Sequence, residues 1–304
     1  MESSTRRRQL LLRSAKWLVL ALAVLAPLVY VGISLFTADI LTRPTNHRSP
    51  LDPRLVSGDA VAWSTRTADG LTLRGWYYPT LEHRHLIVLI HGMGGCWDEM
   101  AMLGGDLHRQ GYDTLLFDLR GHGLSDPSRL TMGRRERADI RAVMAWASRQ
   151  GFDPEHVGWL GYSMGASTLL MEAAQNPNIR VAVVDSPYGN LPELLKKQLT
   201  KHSHLPSWFN PGILLAAQMA YGVRTNDLVP TRSALRWGNR PLMLIHGEAD
   251  SIVPVQQARA LARALGPACL AVTLPGVDHV QAYRENPKRY VTAVDHFFNR
   301  YLRP

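Results

Sequence analysis

The chain has 304 residues, 46% of them apolar and 19% charged, a balance that excludes disordered, collagen-like and coiled-coil classes. Its two cysteines, Cys96 and Cys269, stand in no CxxC pair, which excludes a disulfide framework and a zinc or dithiol motif. The net charge of +9 is carried by two segments, +4 over 1–16 and +5 over 190–240, and with no nucleic-acid-binding motif beside either, nucleic acid is not an expected partner.

In chain order, the basic residues Arg6, Arg7, Arg8, Arg13 and Lys16 precede an uncharged run over 17–36. Twenty helical residues span about 30 Å, the thickness of a bilayer's hydrocarbon. A signal peptide carries a shorter apolar core and a small-x-small cleavage site, whereas this run passes into Thr37-Ala38-Asp39 without one. The expectation is an uncleaved transmembrane anchor, with secretion after cleavage as the alternative. Five positive charges before the span outnumber Arg43, Arg48 and Arg54 after it, which puts the amino terminus in the cytoplasm and the remainder on the periplasmic or extracellular side. Arg7-Arg8 also faintly resembles a twin-arginine signal. Residues 37–58, with Pro44, Pro50 and Pro53, read as a linker, and the soluble domain starts at 59 and runs to 304.

Two β-rich runs, 61–67 and 71–79, predict an antiparallel hairpin around Ala68-Asp69-Gly70. Short apolar runs at 86–90, 114–117, 157–160, 181–184, 242–245 and 270–274 suit buried strands, and helical stretches near 98–110, 133–149, 164–175, 254–265 and 286–301 lie between them. That alternation predicts an α/β fold with a mostly parallel central sheet flanked by helices. Residues 187–240 stand where one connection should be, and are expected to form a helical cap over the carboxyl edge of the sheet.

The chemistry is carried by Gly161-Tyr162-Ser163-Met164-Gly165, a G-x-S-x-G between a predicted strand and a predicted helix. A nucleophile in so sharp a turn needs glycines two residues either side, where neighbouring backbone leaves no room for a Cβ. A bland alternative has Ser163 merely capping the helix. A serine hydroxyl needs a base, and the base an acid to orient it; both are expected after later strands, the acid first. Asp250, in LIHGEADSIVP, and His279, in LPGVDHV, stand there, with Glu248 and Asp185 as alternative acids and Asp278 as a locally hydrogen-bonded neighbour. Oxyanion donors are expected at the N–H groups of Met93, in His91-Gly92-Met93-Gly94-Gly95, and of Met164. Neither a phosphate-loop nor a dinucleotide fingerprint is present in the glycine-rich stretch.

HGMGG, then FDLRGHGLS over 117–125, GYSMG, HGEAD and GVDH occur in that order, and over 59–304 the chain resembles the α/β-hydrolase superfamily, in particular its membrane-anchored serine hydrolases. The resemblance implies Ser163 as nucleophile, His279 as base, Asp250 as acid, and Met93 with Met164 as the oxyanion hole. It implies a structural turn at Asp118, Arg120 and His122, and no metal or organic cofactor. A serine at 163 disfavours the dehalogenase and epoxide-hydrolase branch, which would need an aspartate. The expected reaction is two-step acyl transfer on a small-molecule or lipid ester or thioester. Trp208, Phe209, Ile213, Leu214, Leu215, Met219, Tyr221 and Trp237 in the cap suit a lipophilic acyl chain or, more blandly, pack the cap helices. The basic cap can attract anionic groups. Peptidase or amidase activity, and a non-catalytic membrane-tethered binding role, are the alternatives. Cys96 is a candidate reactive thiol or a buried apolar residue, and a Cys96–Cys269 bridge stays open.

Overall fold

Apolar runs without alternation, such as LIVLI at 86–90, need cover on both faces of a strand. In the computed structural model that is where they lie. The structure describes residues 2–44, 47–82 and 85–302, with side chains from Leu12 onward; Arg6, Arg7 and Arg8 of the basic end therefore lie outside the described side chains, as do the last two residues of the expected domain. Eight strands, β1 (Val61–Arg66), β2 (Thr72–Tyr78), β3 (Leu86–Ile90), β4 (Asp113–Phe117), β5 (Val157–Tyr162), β6 (Val181–Asp185), β7 (Leu242–Gly247) and β8 (Cys269–Leu274), form one sheet in the order 1-2-4-3-5-6-7-8. β2 runs antiparallel to both neighbours and every other pairing is parallel. Every residue of β3 to β7 is buried, while the edge strand β8 is half open.

The helices are α1 (Glu2–Thr42), α2 (Ala101–Arg109), α3 (Arg137–Arg149), α4 (Ser163–Ala173), α5 (Leu191–Ser203), α6 (Asn210–Tyr221), α7 (Pro230–Ala234), α8 (Val255–Leu265), α9 (Ala282–Glu285) and α10 (Pro287–Tyr301). Strand alternation sorts them into two layers. Leu86, Val88 and Ile90 of β3 face α3, α4, α7 and α8, whereas Ile87 and Leu89 face α2 and α10.

Two boundaries differ from expectation. The first six residues of the expected linker, 37–42, continue α1, and the helix changes environment along its length. Residues 12–29 are exposed almost throughout; from Tyr30 a stripe recurs at helical spacing, with Ser34, Ala38 and Thr42 buried against α6. The segment 187–240 also divides. α5 and α6, the expected cap, pack on each other and α6 on α1, but α7 packs on α4 and α8, and Trp237 lies in the main core, so Trp237 is removed from any chain-binding surface. Arg240, counted with the basic cap, stacks 4.4 Å over Trp237 and donates to the Ala173 carbonyl at the end of α4 and to those of Asn176 and Ile179 beyond it.

The FDLRGHGLS run is a turn built on buried charge. Asp118 accepts the Trp97 and Leu124 amides, and burial raises its carboxyl to about 6. A side chain at position 123, where φ is 48°, would collide with that carboxylate, since its Cβ would lie 2.1 Å from Oδ2. Arg120, 1% exposed, bridges Asp139 at 2.8 Å and Asp69 at 2.7 Å, tying α3 to the β1–β2 hairpin. Replacing one member of a buried ion pair strands the other without water. Arg120→Met is therefore expected to cost about 3–5 kcal/mol in denaturant unfolding. Asp69→Asn, half exposed, should cost about 1 kcal/mol or less; equal losses would contradict this assignment.

Candidate active site

β5 ends at Tyr162 and α4 begins at Ser163, which sits at φ 48°, a left-handed conformation that a serine adopts only when its surroundings impose it. The imposition is visible on both sides. A Cβ at position 161 would lie 2.7 Å from the Ala166 nitrogen, and one at 165 would lie 2.4 Å from the His91 carbonyl and 2.6 Å from that of Ile90. The turn is thus pressed against its own helix and against the end of β3. As the second residue of α4, Met164 carries an amide at the positive end of the helix, where the first turn has no internal acceptors.

The loops after β7 and β8 bring Asp250 and His279 to this turn. His279 Nε2 lies 2.9 Å from Ser163 Oγ, and its Nδ1 lies 2.7 Å from Asp250 Oδ2. Asp250 is 9% exposed, and its Oδ1 accepts the amides of Ile252 and Val253 at 2.9 and 2.7 Å, which aims Oδ2 at the imidazole. The alternative acids lie elsewhere. Glu248 faces Thr273 and Arg259. Asp185 is buried, raised to about 6 by that burial, and takes hydrogen bonds from Ser186 Oγ and Tyr290 OH. Asp278 accepts the amides of Ser251 and of His279 itself, the local bonding expected of it.

In HGMGG the Gly92 amide donates to Glu99 (2.8 Å), Gly94 to His122 Nε2 (3.2 Å) and Gly95 to the Gly92 carbonyl (3.4 Å). The Met93 amide is left without an intramolecular acceptor among the described residues, in a loop where the Cβ direction at Gly92 lies 3.5 Å from that of Ser163. Two neutral histidines hold the loop. His91 Nε2 accepts the Leu119 amide and Nδ1 lies 2.7 Å from the Gly92 carbonyl; His122 Nδ1 lies 3.0 Å from the Arg120 carbonyl, and the two rings meet edge to face at 4.8 Å. Burial drops both to about 4.

Sequence reasoning missed several supports of this site: Glu99 under Gly92, the bonding of His91 and His122, Ser186 Oγ accepting the Val280 amide at 3.2 Å, and His246, whose Nε2 lies 2.9 Å from the Val253 carbonyl and 3.4 Å from Asp250. His91 and His122 stand inside the HGMGG and FDLRGHGLS motifs; the others have no local pattern to mark them. Both cysteines are free. Cys96 is buried and raised to about 12, and Cys269 is raised to about 11, so neither has the character of a reactive thiolate, and the bridge left open by the sequence is absent. Among the described residues no three His, Cys, Asp or Glu side chains converge to hold a metal ion.

A family model described as the alpha/beta hydrolase fold matches residues 85–213, and one described as TAP-like protein matches 214–304. An uncharacterized protein of Mycobacterium tuberculosis strain H37Rv is 31% identical over 216 residues, covering 70% of each chain. The chain belongs to the α/β-hydrolase superfamily. Among solved structures, the Pyrococcus furiosus esterase Pf2001 superposes with a TM-score of 0.72 at 22% identity over 86% of this chain and 98% of that one. A membrane phospholipase A superposes with a TM-score of 0.58 at 18% identity over 94% of this chain and 98% of that one. These likenesses establish the fold of the hydrolase, with its mostly parallel sheet.

The contact at Gly165 yields a prediction. A methyl group there must push the β3 end, and Met93 with it, away from Ser163, and displacements near 1 Å cost roughly 100-fold in rate. Gly165→Ala should retain the circular dichroism of the native protein yet lose about 100-fold or more in hydrolytic kcat/KM; a variant with native activity would show that the turn tolerates the side chain.

Proposed function

We propose that this hydrolase is a membrane-anchored serine enzyme that cleaves carboxylic esters or thioesters with hydrophobic acyl groups by way of an acyl-enzyme. The observation that carries the reading is the continuous chain of contacts from Ser163 Oγ through His279 to Asp250, at 2.9 and 2.7 Å. His279 Nε2 takes the hydroxyl proton as Ser163 Oγ attacks the acyl carbon, while Asp250 holds the ring and balances its positive charge. The carbonyl electrons move to oxygen, which the Met93 and Met164 amides receive. His279 then protonates the departing alcohol or thiol, and water repeats the sequence to release the acid.

The membrane part of the reading is supported by α1. Leu12–Thr42 has a mean hydropathy of 2.5 in its most apolar window and is the one helix among the described residues long and apolar enough to cross a bilayer. The exposed stretch 12–29 alone spans about 27 Å at 1.5 Å per residue. The excess of positive charge before it favours a cytoplasmic amino terminus and a catalytic domain on the periplasmic or extracellular side. The membrane phospholipase A superposes over 94% of this chain, against 86% for the Pyrococcus furiosus esterase.

Detergent-solubilised full-length protein is expected to react with a fluorophosphonate probe, and Ser163→Ala and His279→Ala to abolish that labelling. Against p-nitrophenyl esters, Ser163→Ala should lower kcat by roughly 10³–10⁶-fold. Asp250→Asn should lower it by about 10⁴-fold, through the wrong tautomer of the ring. A folded wild-type protein that takes no label would overturn the serine-hydrolase reading.

A further inference from the structure

Below the cap lies a cavity of about 170 Å³ walled by the cap, by α1 and by the loops that carry Met93 and Met132. Leu199, Ile213 and Leu214 belong to the cap and Met93 to the HGMGG loop; Ala38 and Leu41 belong to α1, the helix read as the membrane anchor. We propose that the last turns of α1 form one wall of the acyl-chain site, so that the anchor is part of the active site and the chain bound there is the acyl group of a membrane-derived ester. This rests on the serine-hydrolase reading above and adds the position and chemical class of the group next to the scissile bond.

Four observations support it. First, Met93 links the cavity to the chemistry: its amide faces no internal acceptor, its side chain lines the cavity, and the preceding residue abuts Ser163. A chain esterified at Ser163 runs past Met93 into the cavity. Second, the lining is mostly aliphatic, with Gln198, His202, Thr42 and Thr225 as the polar exceptions, and an apolar cavity holds a hydrocarbon chain far better than water. Its size is well below the roughly 300–1,000 Å³ of drug-sized sites, which suits one unbranched chain.

Third, the α1 wall is fixed. The Tyr30 hydroxyl accepts the Gly212 amide at 3.0 Å and donates to the Trp208 carbonyl, and a Cβ at Gly212 would lie 2.5 Å from Ser34 Oγ, so the two helices meet at backbone distance. Asp39 is bound by Arg43, Arg129 and Tyr221, and the Thr42 carbonyl accepts the Leu130 amide. Fourth, the opposite wall is held as firmly. Met132 sits at φ 56°, in a loop whose Thr131 and Gly133 amides are taken by the buried Glu136 carboxylate, and Tyr188 OH donates to the Met132 carbonyl. A site preformed in this way loses little entropy on binding.

The test uses full-length protein in detergent micelles. A fluorophosphonate bearing a decyl chain with a terminal diazirine is attached to Ser163, irradiated, and the crosslinked peptide identified by mass spectrometry. Crosslinks within 38–42 or 213–214 are expected. In parallel, Leu41→Trp and Leu214→Trp, at half-buried positions lining the cavity, should each lower the ratio of kcat/KM for decanoate to that for butyrate esters at least tenfold, whereas exposed Leu235→Ser should leave the ratio as in wild type. Normal labelling at Ser163 with crosslinks only outside these segments, or an unchanged ratio in both tryptophan variants, overturns the proposal and leaves the hydrolase reading standing. Absence of labelling in folded wild type overturns both.

Discussion

The carbonyls of Ile90 and His91 occupy the space that a side chain at position 165 would need, and that one contact couples the turn carrying Ser163 to the loop carrying Met93. The sheet supplies the coupling. β3 and β5 are adjacent and parallel, so their carboxyl ends arrive at the same height, and Ile90 pairs with Gly161. The loop leaving β3 and the turn leaving β5 must then pack against each other. Glycine at 165 lets α4 start within contact distance of β3, and the cost of that closeness appears as the left-handed backbone of Ser163. Ser163 and the loop carrying Met93 are thus positioned by backbone packing, the least deformable part of the fold.

Around this contact the polar groups are arranged so that few of them can change state easily. His91 and His122 each accept a backbone amide on Nε2 and each direct Nδ1 at a carbonyl, an arrangement open only to neutral rings. Burial agrees, since it holds both well below the ordinary imidazole range. Asp118 secures the start of the turn at Trp97, just beyond the HGMGG loop, and Arg120 fastens the same segment to α3. The conspicuous DLRGHG run therefore acts on the site from behind, by fixing the loop, while His279 remains within reach of Ser163.

The sheet was legible because buried parallel strands must be continuous apolar runs, and 86–90, 157–160 and 242–245 are such runs. The convergence of Ser163, Asp250 and His279 was legible because chain order and strand ends restrict which residues can meet at the carboxyl edge of the sheet. Supports drawn from distant segments were not. Nothing near Ser186 or His246 in sequence signals that one receives the Val280 amide and the other lies beside Asp250. Trp237 misled for a related reason: apolar residues in an insertion look alike until packing decides which face the core, and α7 had already rejoined the main layer. Arg240 likewise looked like surface charge, yet its guanidinium serves the carbonyls at and beyond the end of α4.

The end of α1 was misread on hydropathy for a reason that bears on function. Ser34, Ala38 and Thr42 recur every four residues and, being small, allow backbones to approach, while adding little to any hydropathy score. The fall in apolar character after Phe36 thus does not end the helix: its surroundings change from Tyr30 onward, from full exposure to contact with the cap, and it continues unbroken to Thr42. Asp39 points the same way: in a loose tether its carboxylate would face solvent, but here it gathers Arg43, Arg129 and Tyr221 into one cluster. On the proposed reading of α1 as a membrane anchor, a domain joined to it by continuous helix and a shared core cannot turn freely above a bilayer, so the cap and the cavity beneath it would keep one orientation toward the membrane surface.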